Sequence, residues 1–492
     1  MSESILSLPS YVASLAPRDA ADARRLLALV PPKASAIEMR LDLAARPIPA
    51  RELIDLDPRP MLATYRTRSE GGDFAGSPED YRRLVGEAYD AGATVDVEHS
   101  SGLLSDSSVL PDRRRVVVSH HSPFAVPADW EERLSAMAAT GARAVKLVCG
   151  AADVPAGLRI AEMQKRHSGD SVAVLPMGPG SAPGRVLSAL SGASLVYGPV
   201  EAATAPGQLP LAELFDVYAA DRPRPIEALF GIVGADVSGS LSPALHNALF
   251  RARGLPYLYL PLPVSDWERS RPTALRFDPH FRGFSVTQPW KLAAAAAGRP
   301  SEEVRANGAA NTLLKLPRGW IAENTDVDGI FDPLADHDTG EGRTAVILGA
   351  GGTARAAVLA ARRLGYEVLV AARRDDTADA VAEELHVDSL ALSDLPETEA
   401  DLYLNATPLG SEPDDPPAFP PKVLEGRPLV FDCVYRRDGS PTATISAARE
   451  ARCPTVEGIR MFAAQAVRQA RLFGVGEVSL EEVEKVLAEV AR

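Results

Sequence analysis

Cysteine is scarce, with Cys149, Cys433 and Cys453 the only three in 492 residues. Three scattered thiols exclude a disulfide framework and a cysteine-rich zinc site, and they fit a reducing compartment, the cytoplasm. No run of about 18 apolar residues occurs, so no candidate membrane-spanning helix is present. The opening "MSESILSLPSYVASLAP" lacks the basic and long apolar segments of a secretory signal. Positive charge is in deficit: 52 Lys and Arg against 66 Asp and Glu leave a net charge of −14. Such a chain does not suit nucleic acid or an anionic membrane, and an anionic ligand must be met by locally placed cations. Internal repeats and low-complexity segments are missing as well. What remains is an ordinary globular composition, 46% hydrophobic and 24% charged, in a chain long enough for two or three domains. The oligomeric state is left open, a homo-oligomer included.

The first half contains eight short apolar runs: "YVASLA", "AIEMRLD", "PMLATYRT", "ATVDVEH", "RRVVVSHH", "ARAVKLVCG", "SVAVLPMG" and "ASLVYG". Between them lie segments of helical spacing such as "SPEDYRRLVGEAYDAG" and "PADWEERLSAMAATG". Eight strand–helix units in roughly 220 residues predict a (β/α)8 barrel, whose chemistry sits at the C-terminal ends of its strands. Those ends carry Glu38, Arg40, Arg66, Glu98, His121, Lys146, Met177 and Tyr197. Lys146 is notable because it interrupts an otherwise apolar strand. A lysine there either snorkels to solvent or pairs with a carboxylate, or it serves as a nucleophilic amine at the barrel mouth.

Residues 218–231, "YAADRPRPIEALFG", read as a linker with two close prolines. Beyond it, "ALFGIVG", "YLYLPLPV" and "FRGFSVT" are strands of a compact α/β unit. "GRTAVILGAGGTARAAVLAARRLGYEVLVAARR" then reads as strand, glycine turn, helix and strand. In that turn Gly349, Gly351 and Ala354 satisfy G-x-G-x-x-A, the βαβ pattern of dinucleotide-binding folds. An NAD site ordinarily ends the next strand in Asp or Glu, whereas this one ends in Arg373 and Arg374. Two guanidiniums suit a 2′-phosphate, so NADP is expected, although Asp375 and Asp376 follow and are able to pair with those arginines. "GIRMFAAQAVRQARLFGV" and "SLEEVEKVLAEVAR" read as closing helices, the second capped by Ser479.

With these constellations in view, the chain resembles a fusion of a type I 3-dehydroquinate dehydratase with a shikimate dehydrogenase. In the first half the resemblance rests on "EMRLD", "RTRSEGG", "DVE", "SHH", "VK", "MGPGSAPGR" and "TAPGQ". It implies that Lys146 forms an imine with the substrate ketone, that His121 is the general acid/base and that Glu70 orients it. His120 competes with His121 for that role, and the spacing from Ser119 favours His121. Glu38, Arg40 and Arg66 match residues that hold substrate hydroxyls. Arg185, Thr204 and Gln208 match the clamp on its carboxylate.

In the second half the resemblance rests on "GSLSPALHN", "GFSVTQPWK", "GAANTL", "AENTDVDG", "NATPLG" and "FDCVY". It implies a catalytic pair, Lys291 and Asp326. Ser240, Ser242, Thr287, Asn311, Tyr435 and Gln465 match substrate-binding positions. The turn Gly349, Ala350, Gly351, Gly352, Thr353 and Ala354, with Arg373, Arg374, Asn405, Thr407 and Gly458, matches the NADP site. Gly239 and Ser285 stand where the family has histidine and asparagine.

The expected organisation is a barrel over 1–222, a substrate-binding domain over 226–330 closed by helices in 458–492, and a Rossmann NADP-binding domain over 331–457. The expected activity is dehydration of 3-dehydroquinate to 3-dehydroshikimate, followed by its reduction to shikimate with NADPH. No metal is expected, since the acidic and histidine residues lack ligand spacing. Two rival readings are a quinate- or NAD-preferring catabolic enzyme and a ligand-sensing regulator without catalysis.

Overall fold

The computed structural model describes residues 5–268, 280–337 and 340–490. The chain divides into two compact units, Met1–Pro225 and Ile226–Arg492. None of the described helices is long and apolar enough to cross a membrane.

The first unit is built on eight parallel strands: β1 (Ser10–Leu15), β2 (Ala36–Arg40), β3 (Met61–Thr64), β4 (Thr94–Glu98), β5 (Val116–Ser122), β6 (Ala144–Gly150), β7 (Val172–Met177) and β8 (Leu195–Pro199). Their spatial order is β7-β6-β5-β4-β3-β2-β1-β8. The edge strands β7 and β8 approach one another at their N-terminal ends, where Ser194 N–H donates to the Val172 carbonyl at 3.0 Å. The result is a nearly closed barrel. Three of its α-helices begin with side-chain caps, the first being Ala20–Leu27 behind Asp19. Ser77 and Asp80 make a reciprocal capping box at the start of Pro78–Asp90, and Asp153 caps Val154–Lys165.

Side chains alternate across each strand, so one parity faces the barrel axis and the other the helices. On β6 the outward Val145, Leu147 and Cys149 join a core with Leu134, Met137 and Ile160. The opposite parity carries Lys146 and Val148 inward. On β4 the same rule sets Val95 and Val97 outward and Thr94, Asp96 and Glu98 inward. That arithmetic brings charged residues from five strands to one end of the barrel.

The second unit holds two sheets. The first has the order β10-β9-β11-β13-β14-β12, from β9 (Ala228–Gly234), β10 (Tyr257–Pro263), β11 (Phe281–Val286), β12 (Arg299–Pro300), β13 (Thr312–Leu316) and β14 (Gly319–Glu323). The second is wholly parallel, β17-β16-β15-β18-β19-β20, from β15 (Thr344–Leu348), β16 (Glu367–Ala371), β17 (Asp388–Ser389), β18 (Leu402–Asn405), β19 (Leu429–Asp432) and β20 (Thr455–Glu457). β15 lies between β16 and β18, so the chain reverses its direction of travel there, where doubly wound sheets bind ligands.

The helix Gly458–Leu472 returns to the first of these sheets. Its Phe462, Ala466 and Ala470 pack with Phe230, Leu245 and Tyr259. The final helix is capped as expected, with Glu482 N–H donating to Ser479 Oγ at 3.1 Å. The helix Asp326–Ala335 crosses the expected boundary at 330. Its Val327, Ile330 and Leu334 share one core with Ala357 and Ala361 of the helix Gly352–Arg363.

Candidate active sites

At the C-terminal end of the barrel a small cavity is lined by Glu38, Arg40, Arg66, His121, Lys146 and Arg185, with Met177, Tyr197 and Gln208 completing the wall. Lys146 is 4% exposed. Its Nζ lies 2.5 Å from Asp96 Oδ2, 3.8 Å from Glu38 Oε1 and 4.7 Å from the centre of the Tyr197 ring. The lysine therefore neither snorkels nor sits unpaired; it is a buried cation in an ion pair. Burying it is tolerable only because carboxylates accompany it.

His121 Nδ1 and its backbone N–H both address Glu70 Oε2, at 3.1 and 2.9 Å. Burial first, then Arg66 and Lys146, push the imidazole down to about 3, against the pull of Glu70. Hydrogen bonds from both histidines and the charge of Arg66 outweigh burial and hold Glu70 well below the usual carboxylate range. An anionic Glu70 requires a proton on Nδ1, which leaves Nε2 of a neutral ring as a base. His120 reaches the other oxygen of Glu70 at 3.4 Å but does not line the cavity.

Arg66 is enclosed by Glu70, Asp96 and Glu98 at 3.2, 2.7 and 3.0 Å. Arg40 makes two hydrogen bonds to Asp42 and a third to the Thr204 carbonyl. Glu38 accepts from Ser14 Oγ at 2.5 Å and Thr64 Oγ1 at 3.0 Å. Arg185 differs from both arginines: it is 7% exposed, and its Nε has no hydrogen-bond partner among the described residues. Burial alone pushes it down to about 10. A desolvated guanidinium without a counter-ion is a site prepared for an anion. Gln208 Oε1 accepts from Thr204 N, Thr204 Oγ1 and Ala205 N, which shapes the neighbouring loop.

Sequence reasoning passed over Asp96 and Ser14 as individual residues and used Ser119 only as a spacing marker for His121. The available signal was parity: in "TVDVE" three polar side chains alternate with valines, so all three face the axis.

The second site is a cleft of about 280 Å³ between the two sheets of the second unit. Lys291 Nζ donates to Asp326 Oδ2 at 2.6 Å and to Thr353 Oγ1 at 2.9 Å. Asn311 Nδ2 donates to Asp326 Oδ1 at 2.8 Å, while its own Oδ1 accepts from Thr325 N–H and Thr312 Oγ1. Those two acceptances orient the amide so that its donor must face Asp326. Thr325 Oγ1 in turn donates to Gln465 Oε1 at 3.1 Å. Thr287, Thr407, Tyr435 and Gly458 complete the wall with Gln465. Ser240 and Ser242 lie outside that wall, at the start of the helix Ser242–Ala252, with Ser240 hydrogen-bonded to Tyr435. Ser285 accepts from Tyr259 and donates to Gln469 Oε1 at 2.7 Å, so this smaller residue is tied into the floor.

The glycine turn stands beside this pair. Gly349 has φ +128°, a backbone conformation that disfavours any side chain, and a Cβ on Gly351 would meet nothing within 4 Å. The helix Gly352–Arg363 starts there with no side-chain cap and no acidic residue in its first turn. Its N-terminal amides are thus free to receive an anion. Thr353 is the one member of the turn in the cleft wall. Arg374 lies 3.9 Å from Asp376, both well exposed, which is a weak contact. Asn405 is fully buried and spends its amide on Leu409 O, Asp432 and Thr407, so it shapes the loop and leaves Thr407 to face the cleft.

A parallel barrel with a buried lysine at its mouth, and a doubly wound unit with a lysine–aspartate pair beside a nucleotide turn, define a two-site α/β enzyme. Residues 11–224 match the model of type I 3-dehydroquinase, and residues 232–313 that of the shikimate dehydrogenase substrate binding domain. The bifunctional 3-dehydroquinate dehydratase/shikimate dehydrogenase of Arabidopsis thaliana is 29% identical over 474 residues, 89% of this chain and 77% of that protein. A shikimate dehydrogenase (NADP(+)) of Rubrobacter xylanophilus is 38% identical over 257 residues, 50% of this chain and 89% of that protein. Among solved structures, the dehydroquinate dehydratase and shikimate dehydrogenase from S. pombe AroM covers 97% of this chain and 98% of its own, at 22% identity and a TM-score of 0.43. The chain belongs to the bifunctional 3-dehydroquinate dehydratase/shikimate dehydrogenase family.

Proposed function

We propose that the barrel dehydrates 3-dehydroquinate to 3-dehydroshikimate and that the second unit reduces this product to shikimate with NADPH, in a cytoplasmic setting. The observation that carries the reading is Lys146, a buried amine in a small cavity with a neutral histidine in the same wall.

In the barrel Lys146 attacks the substrate ketone and becomes an imine. His121, with Glu70 on Nδ1, takes the proton from the neighbouring carbon at Nε2 and returns one to the departing hydroxyl. Arg185 receives the substrate carboxylate with Gln208 and Thr204, and Glu38, Arg40 and Arg66 order the hydroxyl end.

In the second unit the residues fit NADPH: a positive-φ Gly349, an open face at Gly351 and uncapped helix amides for the pyrophosphate, with Arg373 and Arg374 for a 2′-phosphate. When bound, the cofactor supplies a hydride to the substrate carbonyl carbon. Lys291 donates a proton to the oxygen of that carbonyl, and Asp326 holds the ammonium in place. Asn311 and Gln465 fix Asp326 and the substrate hydroxyls, with Thr287, Tyr435, Ser240 and Ser242 about the rest of the ring. Residues 1–222 act as the dehydratase, 226–330 with 458–492 as the substrate-binding domain and 331–457 as the nucleotide-binding domain, with the helix Asp326–Ala335 spanning the boundary between the last two.

The test is a coupled assay with purified full chain, 3-dehydroquinate and NADPH. Oxidation of NADPH should be lost in Lys146→Ala and in Lys291→Ala, and adding 3-dehydroshikimate should restore it in the former alone. Repeating the assay with NADH, and in reverse with quinate against shikimate, separates the rival preferences. A wild-type chain that binds 3-dehydroquinate without turnover would instead be a ligand sensor.

A further inference from the structure

Asp96 has a place in the barrel that neither the resemblance nor the mechanism above assigns. Its side chain is fully buried, and its two oxygens are used differently. Oδ1 accepts from Arg66 Nη2 at 2.7 Å and from Ser119 Oγ at 2.5 Å. Oδ2 has one neighbour of opposite charge, Lys146 Nζ at 2.5 Å. The other carboxylate near that amine, Glu38, stands at 3.8 Å and is already engaged by Ser14 and Thr64.

We propose that Asp96 is a catalytic residue of the dehydratase, the fixed counter-charge of Lys146 that stabilises the cationic imine without itself exchanging a proton. The inference rests on the imine reading of the barrel.

Two arguments support a fixed charge over a base. First, against the opposing effect of burial, the charges of Arg66 and Lys146 hold Asp96 far below the usual carboxylate range, so it has little affinity for a proton. Second, the stoichiometry needs no acceptor. A protonated amine, R–NH3+, and a ketone give an iminium, R–NH+=C, and one water. The C–N bond forms, the ketone oxygen leaves with two of the three ammonium protons, and the nitrogen keeps one proton and its positive charge. The proton shed for the attack is held by the neutral His121 in the same wall and returns to the leaving oxygen, so no net acceptor is needed. Charge at the nitrogen is therefore the same before and after, and a carboxylate placed for the ammonium is already placed for the iminium. Preorganised opposite charge in a water-poor cavity needs no rearrangement as the intermediate forms.

The experiment is borohydride trapping of the full chain with 3-dehydroquinate, read as the mass of the reduced adduct and combined with kcat and KM of dehydration. Asp96→Asn keeps the shape and removes the charge. The trapped fraction is expected to fall at least tenfold and kcat by about 100-fold, with KM within threefold. Asp96→Glu, which restores the charge, is expected to trap at least tenfold more than Asp96→Asn. The dehydrogenase activity of the same chains checks that the second unit is intact. Equal trapping and kcat in wild type and Asp96→Asn would overturn the inference. So would a folded Asp96→Glu that traps no more than Asp96→Asn, because geometry and not charge would then be what matters. If Asp96→Asn does not fold, Asp96→Glu alone decides: adduct within tenfold of wild type supports the counter-charge, and its loss refutes it. A wild-type chain with no adduct sinks the imine reading itself.

Discussion

Lys291 reaches Asp326 at 2.6 Å while the same ammonium donates to Thr353 at 2.9 Å, so one side chain ties the hydrogen-bonded pair Asp326 and Asn311 to the first turn of the nucleotide helix. In the proposed reduction this amine protonates the carbonyl oxygen. Lys291→Ala is expected to lower the dehydrogenase kcat by about 100- to 10,000-fold, the range for a lost general acid. Dehydration of 3-dehydroquinate by the same chain should stay within twofold of wild type. Following both reactions in one preparation checks this.

Gly352 makes a related prediction without touching a polar group. A Cβ there would lie 2.6 Å from Lys291 Cβ and 3.0 Å from Lys291 Cδ. Gly352→Ala must displace the lysine, and a misplacement of about 1 Å is expected to cost about 100-fold in the dehydrogenase kcat. Gly351→Ala adds its methyl to open space, so it should raise the KM for NADPH and leave Lys291 in register. The split between kcat and KM in the two variants is the measurement.

His121 couples stability to pH. An unfolded imidazole takes a proton below about 6.5, while the buried one does so only near 3. Between those values the unfolded chain binds more protons, so stability falls as pH falls through that window, by at most about 1.4 kcal/mol per pH unit from this group. His246, fully buried in the second unit and pushed down to about 4, acts with the same sign. Urea midpoints at pH 7 and pH 5 should show the loss, and His121→Gln should flatten the barrel transition. The acid limb of dehydration in the free enzyme should lie well below pH 6.

Arg185 sets function against stability. It is buried without a partner among the described residues, and its desolvation is uncompensated until an anion arrives. Arg185→Met should raise the melting temperature of the barrel and raise the KM for 3-dehydroquinate by about 10- to 100-fold, since a charge-assisted hydrogen bond contributes about 1.5–3 kcal/mol. Calorimetry with steady-state kinetics tests both halves; an Arg185→Met barrel that melts lower would refute the unpaired-cation account.

Periodicity alone determined much of this protein. Eight apolar runs separated by helical spacing specify the barrel, because alternation leaves one face of each strand to the helices and one to the axis. The glycine turn between β15 and its helix was equally legible, since Gly349 adopts a backbone that few other residues tolerate. Lys146 and His121 stood out as titratable residues at strand ends, whereas Lys291 and Asp326 were legible only through the resemblance to shikimate dehydrogenases. Tertiary structure decided what surrounds them. The residues alone left Lys146 open between a snorkelling or paired lysine and a nucleophilic amine, and only the register across β4, β5 and β6 brings Asp96 to 2.5 Å from it. Likewise Glu70, 51 positions before His121, meets it only through the pairing of β3, β4 and β5. The domain boundary expected at 330 falls inside the helix Asp326–Ala335, whose apolar face packs in the nucleotide core. Local spacing encodes which face a side chain takes, whereas charge pairing depends on strand register and lobe packing, which no short stretch contains.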